Sequence, residues 1–374
     1  MASVEELCLS KLTIDAVEIL VEKGITSIPE KFIRPPEERF TSPTPSEDVE
    51  EQVPVIDLEG LNCCEGSIER EKVLKQLAYA CENWGFFQIV NHGIPESLME
   101  AMMNVGKAFF ALSVEEKQAY AALPGLIMQG YGSKYIAREG ATRDWRDYIY
   151  LLLQPHSIRD YDYWPSDPSD FREVVHNYSE EALKLAKRLM GAFSLNLGLP
   201  QNYLETFIVQ PYQNMLINYY PPCPEPELTA GFYAHSDIGM ATLLLQETGS
   251  KALQIRKIDK WVPVVAASGA LLVNIADQVE IISNGRYKSI EHRVVADKDK
   301  PRISIPVFCD AAPHAIIKPA PELLESRMND EAAKVEEMKE NPNYSTIVFK
   351  NHEIAFYTDG ANSKKYVQSY MVQA

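Results

Sequence analysis

Residues 213–246 read QNMLINYYPPCPEPELTAGFYAHSDIGMATLLLQ: two apolar runs, Met215–Tyr220 and Thr242–Gln246, flank a proline-rich turn and the polar island His235-Ser236-Asp237. Short runs rich in aromatic and branched residues, bounded by Pro and Gly, are the signature of β-strands. The texture continues downstream in Leu253–Ile258, Trp261–Val265, Ala270–Ile275, Glu280–Ser283, His292–Val295 and Arg302–Phe308. Asn284-Gly285 is the strongest hairpin signal among the connections. Many short strands at this spacing predict a sandwich or a barrel.

Upstream the periodicity changes. Leu12, Val17, Ile19 and Leu20 are interleaved with Asp15, Glu18 and Glu22 as on a helix, which Gly24 would stop. Residues 34–54 are rich in Pro, Ser and Glu and predict an extended connector. Val53–Leu58 and Gly85–Val90 predict strands, the second ending in the turn Asn91-His92-Gly93. Helical spacing covers 68–83, 96–120 and 170–198, the last closed by Gly198 and Pro200. After Pro319 the pattern returns to helix, with an acidic, solvated stretch at 321–340. The expected organisation is a helix and connector (1–52), a region of helices and edge strands (53–205), a β core (206–318) and a C-terminal helical segment (319–374).

With 374 residues, 46% of them hydrophobic and 24% charged, the chain has the balance of a globular protein with a sizeable core. A net charge of −17 argues against nucleic acid or an anionic membrane as a general partner, while permitting a local basic pocket for a small anion. The opening MASVEELCLSKLTIDAVEIL carries acids inside its apolar stretch, unlike a secretory signal, and no run reaches membrane-spanning length. Six scattered cysteines without a CxxC pair suit a reducing compartment. A cytoplasmic protein is expected, monomeric or dimeric, with a small molecule as partner.

Three residues of the β-rich half carry chemistry: His235, Asp237 and His292. Two imidazoles and one carboxylate on one face of a metal leave the remaining positions open, the arrangement of non-haem Fe(II) oxygenases. Residues i and i+2 of a strand project to one face, so His-x-Asp suits this task, and a second strand can bring the other imidazole. Alone, His-x-Asp is weak evidence. The chain has seven histidines; His92 reads as a turn residue, and His156, His176, His314 and His352 as solvated side chains. The signal sharpens at Arg302-Ile303-Ser304, where a guanidinium fork and a hydroxyl share a strand face as a receptor for a carboxylate.

From about 53 to 318 the sequence resembles the plant-type 2-oxoglutarate/Fe(II)-dependent dioxygenases. The resemblance rests on Val53–Leu58, Trp84–Ile94, Asn218-Tyr219-Tyr220-Pro221-Pro222-Cys223-Pro224, His235-Ser236-Asp237, Ile282–Ser289, Glu291-His292-Arg293 and Arg302-Ile303-Ser304, in that order. It implies a distorted double-stranded β-helix, or jelly roll, with an N-terminal helical layer. It also implies His235, Asp237 and His292 as iron ligands, Arg302 and Ser304 with Tyr220 as the clasp for the distal carboxylate of 2-oxoglutarate, and Asn218 near the other end of the keto acid. The implied reaction consumes O2 and 2-oxoglutarate, releases succinate and CO2, and hydroxylates, or sometimes desaturates or demethylates, a C–H bond; ascorbate is the implied reductant.

Two positions depart from the family pattern. Leu216 stands where many relatives carry Lys or Arg, and Ala276 precedes Asp277 where they carry Gly. The first implies a more apolar substrate cavity. Tyr148 and Tyr150, in a stretch resembling a strand at the cavity mouth, are expected to contact a small aromatic or alkaloid-like substrate with Leu216, Phe308 and Asp310; Tyr131 is expected on an entrance loop. The segment Pro29–Arg39 is similar to the N-terminus of the branch acting on hydroxycinnamoyl-CoA esters. The alternatives are an Fe(II) oxidase of the same fold that does not use 2-oxoglutarate, and a non-catalytic jelly-roll carrier. Succinate release separates the first; iron content separates the second.

Overall fold

The computed structural model describes residues 16–39, 52–122, 129–133, 141–328, 343–359 and 363–372. The start of the first expected helix, much of the connector and most of the acidic stretch lie outside them. The chain runs α1 (Val17–Glu22), β1 (Val55–Asp57), α2 (Ile68–Asn83), β2 (Phe86–Val90), α3 (Glu96–Ala111), α4 (Val114–Gln118), β3 (Gly130–Gly132), β4 (Asp147–Gln154) and α5 (Phe171–Leu197) before the β-rich half. There follow β5 (Tyr212–Tyr220), β6 (Phe232–His235), β7 (Ala241–Gln246), β8 (Leu253–Lys257), β9 (Lys260–Pro263), β10 (Leu271–Ile275), α6 (Asp277–Ile282), β11 (His292–Val294) and β12 (Arg302–Asp310). Last come β13 (Ile316–Ile317), α7 (Pro321–Met328), β14 (Ile347–Val348), α8 (Phe349–Asp359) and α9 (Ser363–Ser369).

Strand alternation sets the layers. Eight strands in the order β1-β2-β10-β7-β12-β5-β4-β3 form one sheet, and β6-β11-β8-β9 form a second. On one face of the large sheet Ile149, Leu151, Met215, Ile217, Leu243, Val273, Ile303 and Ile305 join the cluster built by α2, α3 and α5. Each such side chain contributes roughly 1.5–3 kcal/mol on burial. The intervening residues face the second sheet: Phe86, Tyr148, Tyr150, Leu216, Tyr220 and Leu272 pack with Phe232, Ile255 and Val294. Because the helix-covered face carries much of the core, the inner face can spend positions on polar groups such as Asn218, Thr242, Asn274, Arg302 and Ser304. Strands β1–β4, from the 53–205 region, belong to the same sheet as the β core.

The N-terminal segment is pinned by two buried acids. Asp147 accepts the backbone N–H groups of Val17 and Glu18 at 2.9 and 2.8 Å, which satisfies donors at the start of α1. Arg34 donates to Asp144 at 2.6 Å, and Phe32 meets Trp145 edge-on at 5.0 Å. These contacts give Phe32 and Arg34 of the Pro29–Arg39 segment a structural role.

Three readings are corrected. Glu280–Ser283 is no strand: Asp277–Ile282 forms α6, every residue of it buried. A short run buried all round has no face to reveal its period, so helix and strand read alike. Asn284-Gly285 is accordingly no hairpin but the end of α6, with φ of 53° and 79° and Gly285 N–H donating to the Glu280 carbonyl at 2.8 Å. Two left-handed residues close a helix as readily as a hairpin. His352 is not solvated: it is fully buried on α8, its Nε2 3.1 Å from Asp277 Oδ2. Among the described residues, no helix is long and apolar enough to cross a membrane, and the cysteines Cys63, Cys64, Cys81, Cys223 and Cys309 are free thiols.

Candidate active site

His235 and His292 face each other directly in the antiparallel pair of β6 and β11. Asp237 lies two residues beyond the end of β6, so the loop toward β7, and not a shared strand face, returns its carboxylate to the imidazoles. Asp237 Oδ1 is 3.6 Å from His235 Nε2 and 3.6 Å from His292 Nε2. All three ligand atoms lie within 4.8 Å of one another, and all three residues are buried. Their remaining polar atoms are occupied. His235 Nδ1 faces the Tyr233 carbonyl at 2.8 Å and His292 Nδ1 the Ile290 carbonyl at 3.2 Å, which leaves each Nε2 with its lone pair turned inward. Asp237 Oδ2 accepts from Thr242 Oγ1 at 2.5 Å and Asn274 Nδ2 at 2.8 Å, leaving Oδ1 for the centre.

Burial, reinforced by His292, pushes His235 down to about 3, so it is a neutral imidazole at physiological pH. Burial opposes ionisation of Asp237, yet the two imidazoles and its two donors hold it below the usual carboxylate range. Neutral imidazole and ionised carboxylate are the forms that bind a metal. Two nitrogens, one oxygen and an open side match Fe(II), and among the described residues no cysteine joins the group to recruit a softer ion. Replacing Asn274 by Ala should lower iron affinity about 10- to 100-fold, the usual effect of removing an orienting partner. Anaerobic iron titration checks this, and unchanged affinity would mean that Asn274 does not orient Asp237.

The residues expected to receive a carboxylate lie along β12. Arg302 Nη1 donates to Ser304 Oγ at 3.1 Å, Nη2 to Gln246 Oε1 at 2.8 Å and Nε to Ser250 Oγ at 3.2 Å. Register places Arg302 opposite Tyr220 and Ser304 opposite Asn218 on β5, with Gln246 of β7 on the other side of Ser304. These acceptors are neutral, so among the described residues a guanidinium only 6% exposed has no bonded counter-carboxylate, and burial lowers its pKa. A dicarboxylate co-substrate supplies what this position lacks.

Phe308 and Asp310 follow on the same strand face and line a pocket with His235, Asp237, Asn214, Phe232, Ile238, Glu353, Phe356 and Tyr357. Burial and the neighbouring Glu353 carboxylate push Asp310 well above the usual carboxylate range. Leu216 is the next inward residue after Asn214 and lies opposite Tyr150; Tyr148 lies opposite Asn218. These three belong to the inner face, one or two pairs along the strands from the pocket. Tyr131 is not brought there: it is fully buried on β3, and its hydroxyl donates to Glu18 at 2.6 Å. A surface cleft of about 760 Å³ lies between β1 and α2 and shares no residue with the site.

Sequence reasoning missed Asn214, Phe232, Gln246, Arg146, Glu353, Phe356 and Tyr357. Arg146 is 1% exposed, donates to Asn218 and lies 3.6 Å from the centroid of the Phe232 ring. Asn214 and Gln246 were legible as polar residues in phase with Asn218 and Thr242 on their strands. Glu353, Phe356 and Tyr357 share a helix face by their i, i+3, i+4 spacing, but nothing local says where that face docks.

Comparison with known proteins agrees with this geometry. Residues 53–167 match the family described as "non-haem dioxygenase in morphine synthesis N-terminal", and residues 211–311 match the 2OG-Fe(II) oxygenase superfamily. Jasmonate-induced oxygenase 2 of Arabidopsis thaliana is 38% identical over 95% of this chain and 92% of its own length. Leucoanthocyanidin dioxygenase of Malus domestica is 38% identical over 82% of this chain and 88% of its own. The crystal structure of JOX2 in complex with 2OG, Fe and JA superposes with a TM-score of 0.84 at 35% identity, covering 97% of this chain and 99% of that one. The fold is thus the double-stranded β-helix with flanking helices, and the chain belongs to the plant-type 2-oxoglutarate/Fe(II)-dependent dioxygenase family.

Proposed function

We propose that the enzyme hydroxylates a C–H bond of a small aromatic or alkaloid-like molecule held in the pocket beside His235 and Asp237. The supporting observation is the lining itself: Phe232, Phe308, Phe356 and Tyr357 surround a space that opens onto the two residues. In this reading His235, Asp237 and His292 hold the iron, Arg302, Ser304 and Tyr220 hold the distal carboxylate of 2-oxoglutarate, and Asn218 sits near its keto end. Bound Fe(II) and 2-oxoglutarate supply the oxidation of the C–H bond by O2, with release of succinate and CO2. The chain's own residues orient the ring, exclude water and keep the acceptor carbon near the metal.

The cavity holds only about 30 Å³ of open space, so a ring-sized substrate requires the α8 side chains to give way. Aromatic pairs add roughly 0.5–1.5 kcal/mol beyond area burial. Phe308→Ala should therefore weaken use of the substrate about 2- to 10-fold, or loosen regiochemistry, while substrate-free succinate release persists. Product profiling against a surface variant checks this, and unchanged kinetics and product ratios would remove Phe308 from the pocket. The reading as a whole is tested by succinate release over plant phenolics, CoA thioesters and alkaloids. A screen in which no small molecule stimulates succinate release would refute it.

A further inference from the structure

The pocket carries charge that iron and 2-oxoglutarate do not use. Asp310 and Glu353 both line it and are 4% and 6% exposed. Asp310 Oδ2 accepts from Asn214 Nδ2 at 3.1 Å, while its Oδ1 meets no protein donor among the described residues. That oxygen sits against Gly239, where a Cβ would come within 1.6 Å of it, so the glycine is what leaves the carboxylate its place. Glu353 Oε2 accepts from Lys350 Nζ at 2.8 Å, on the half-exposed outer side of α8. Among the described residues, no lysine or arginine lines the pocket. The buried cation nearby, Arg146, donates through Nη1 to Asn218 and lies over the Phe232 ring.

Two buried carboxylates side by side with one outlying lysine are relieved either by a proton, the direction in which burial and Glu353 already push Asp310, or by a ligand that brings positive charge. Phe308, Phe356 and Tyr357 favour the same ligand, because aromatic faces attract a cation, while the Phe232 ring already has Arg146 over it. The α8 backbone is anchored near Glu353: His352, next to it, is bonded to Asp277 of α6, and Lys364 of α9 separately grips both Glu280 oxygens of α6 at 2.9 and 2.8 Å.

We propose that the enzyme selects a prime substrate bearing a cationic nitrogen, with Asp310 as its charge partner and Glu353 as a second acceptor. This rests on the reading that the pocket takes the prime substrate, and it narrows that substrate from aromatic molecules in general to protonated amines. A carboxylate-bearing substrate would meet two like charges here. A charge-assisted bond is worth about one decade in affinity over a neutral contact.

The test uses full-length protein loaded anaerobically with Fe(II) and 2-oxoglutarate, titrated calorimetrically with three probes. These are 4-phenylpiperidine, cationic at neutral pH; its neutral isostere 4-phenyltetrahydropyran; and the anion trans-cinnamate. The amine should bind about tenfold or more tightly than the ether, and the cinnamate more weakly than either. Asp310→Asn, which keeps the shape and the Asn214 contact, should bring amine and ether to near parity, and Glu353→Gln should narrow the gap. Equal binding of amine and ether by the wild type, no binding of the amine, or a preference that survives in both variants overturns the proposal. The wild-type comparison stands even if a variant fails to fold. Succinate release with cationic, neutral and anionic substrates separates the two levels. Turnover of neutral or anionic rings without an amine preference removes the charge selection alone. No turnover of any small molecule removes the reading beneath it.

Discussion

His235→Ala, Asp237→Ala and His292→Ala should each reduce turnover to background. Each removes one of the three atoms that converge within 4.8 Å, and two ligands cannot hold Fe(II) facially against water. The variants should differ in stability. Asp237→Ala leaves Thr242 Oγ1 and Asn274 Nδ2 pointing at an empty acceptor position, at about 1–3 kcal/mol for each buried unmatched group. His235→Ala and His292→Ala leave only a backbone carbonyl without its ring donor. The order of melting temperatures should therefore place Asp237→Ala lowest, with iron content lost in all three. Elemental analysis after anaerobic reconstitution, read beside succinate release, checks both parts. A variant with near-wild-type turnover and stoichiometric iron would strike that residue from the ligand set.

Arg302→Gln should raise the 2-oxoglutarate requirement about 10- to 100-fold and leave affinity for the prime substrate nearly unchanged. The guanidinium is buried among Ser304, Gln246 and Ser250, all neutral, so the charge it contributes is available to a carboxylate. Losing a charge-assisted contact costs roughly 1.5–3 kcal/mol, and the decades follow from that figure. Glutamine can still bond its neighbours, which separates loss of charge from loss of packing. Ser304→Ala should cost less, since its hydroxyl is neutral. The measurement is the split between KM for 2-oxoglutarate and KM for the prime substrate. The same 2-oxoglutarate KM in wild type and Arg302→Gln would place the carboxylate clasp elsewhere.

Much of this was legible along the chain because β-structure writes its faces with a period of two. Arg302, Ser304, Phe308 and Asp310 read as one face of one strand, and the structure has them on one face of β12. α2 appears at Ile68–Asn83, where the spacing placed it. Where the signal failed, the cause was local ambiguity. A run buried on all sides, such as Asp277–Ile282, carries no period, and an Asn-Gly pair serves two kinds of turn.

The sequence by itself determined which residue types are present to do the work: two imidazoles, a carboxylate, an Arg-x-Ser strand and alternating inner faces on which to mount them. Those are properties of residue identity and of strand geometry, both local. Only the tertiary structure decided that His235 and His292 stand directly opposite, that Asp237 comes back from a loop, and that Thr242 and Asn274 aim its carboxylate. Only the tertiary structure decided, too, that Tyr131 belongs to the core with Glu18, and that α8 carries Glu353 over a pocket whose opposite wall lies more than a hundred residues earlier in the chain, at Asn214 and Phe232. Register between strands and the docking of a helix face are set by contacts between distant segments, and no window of sequence contains both partners.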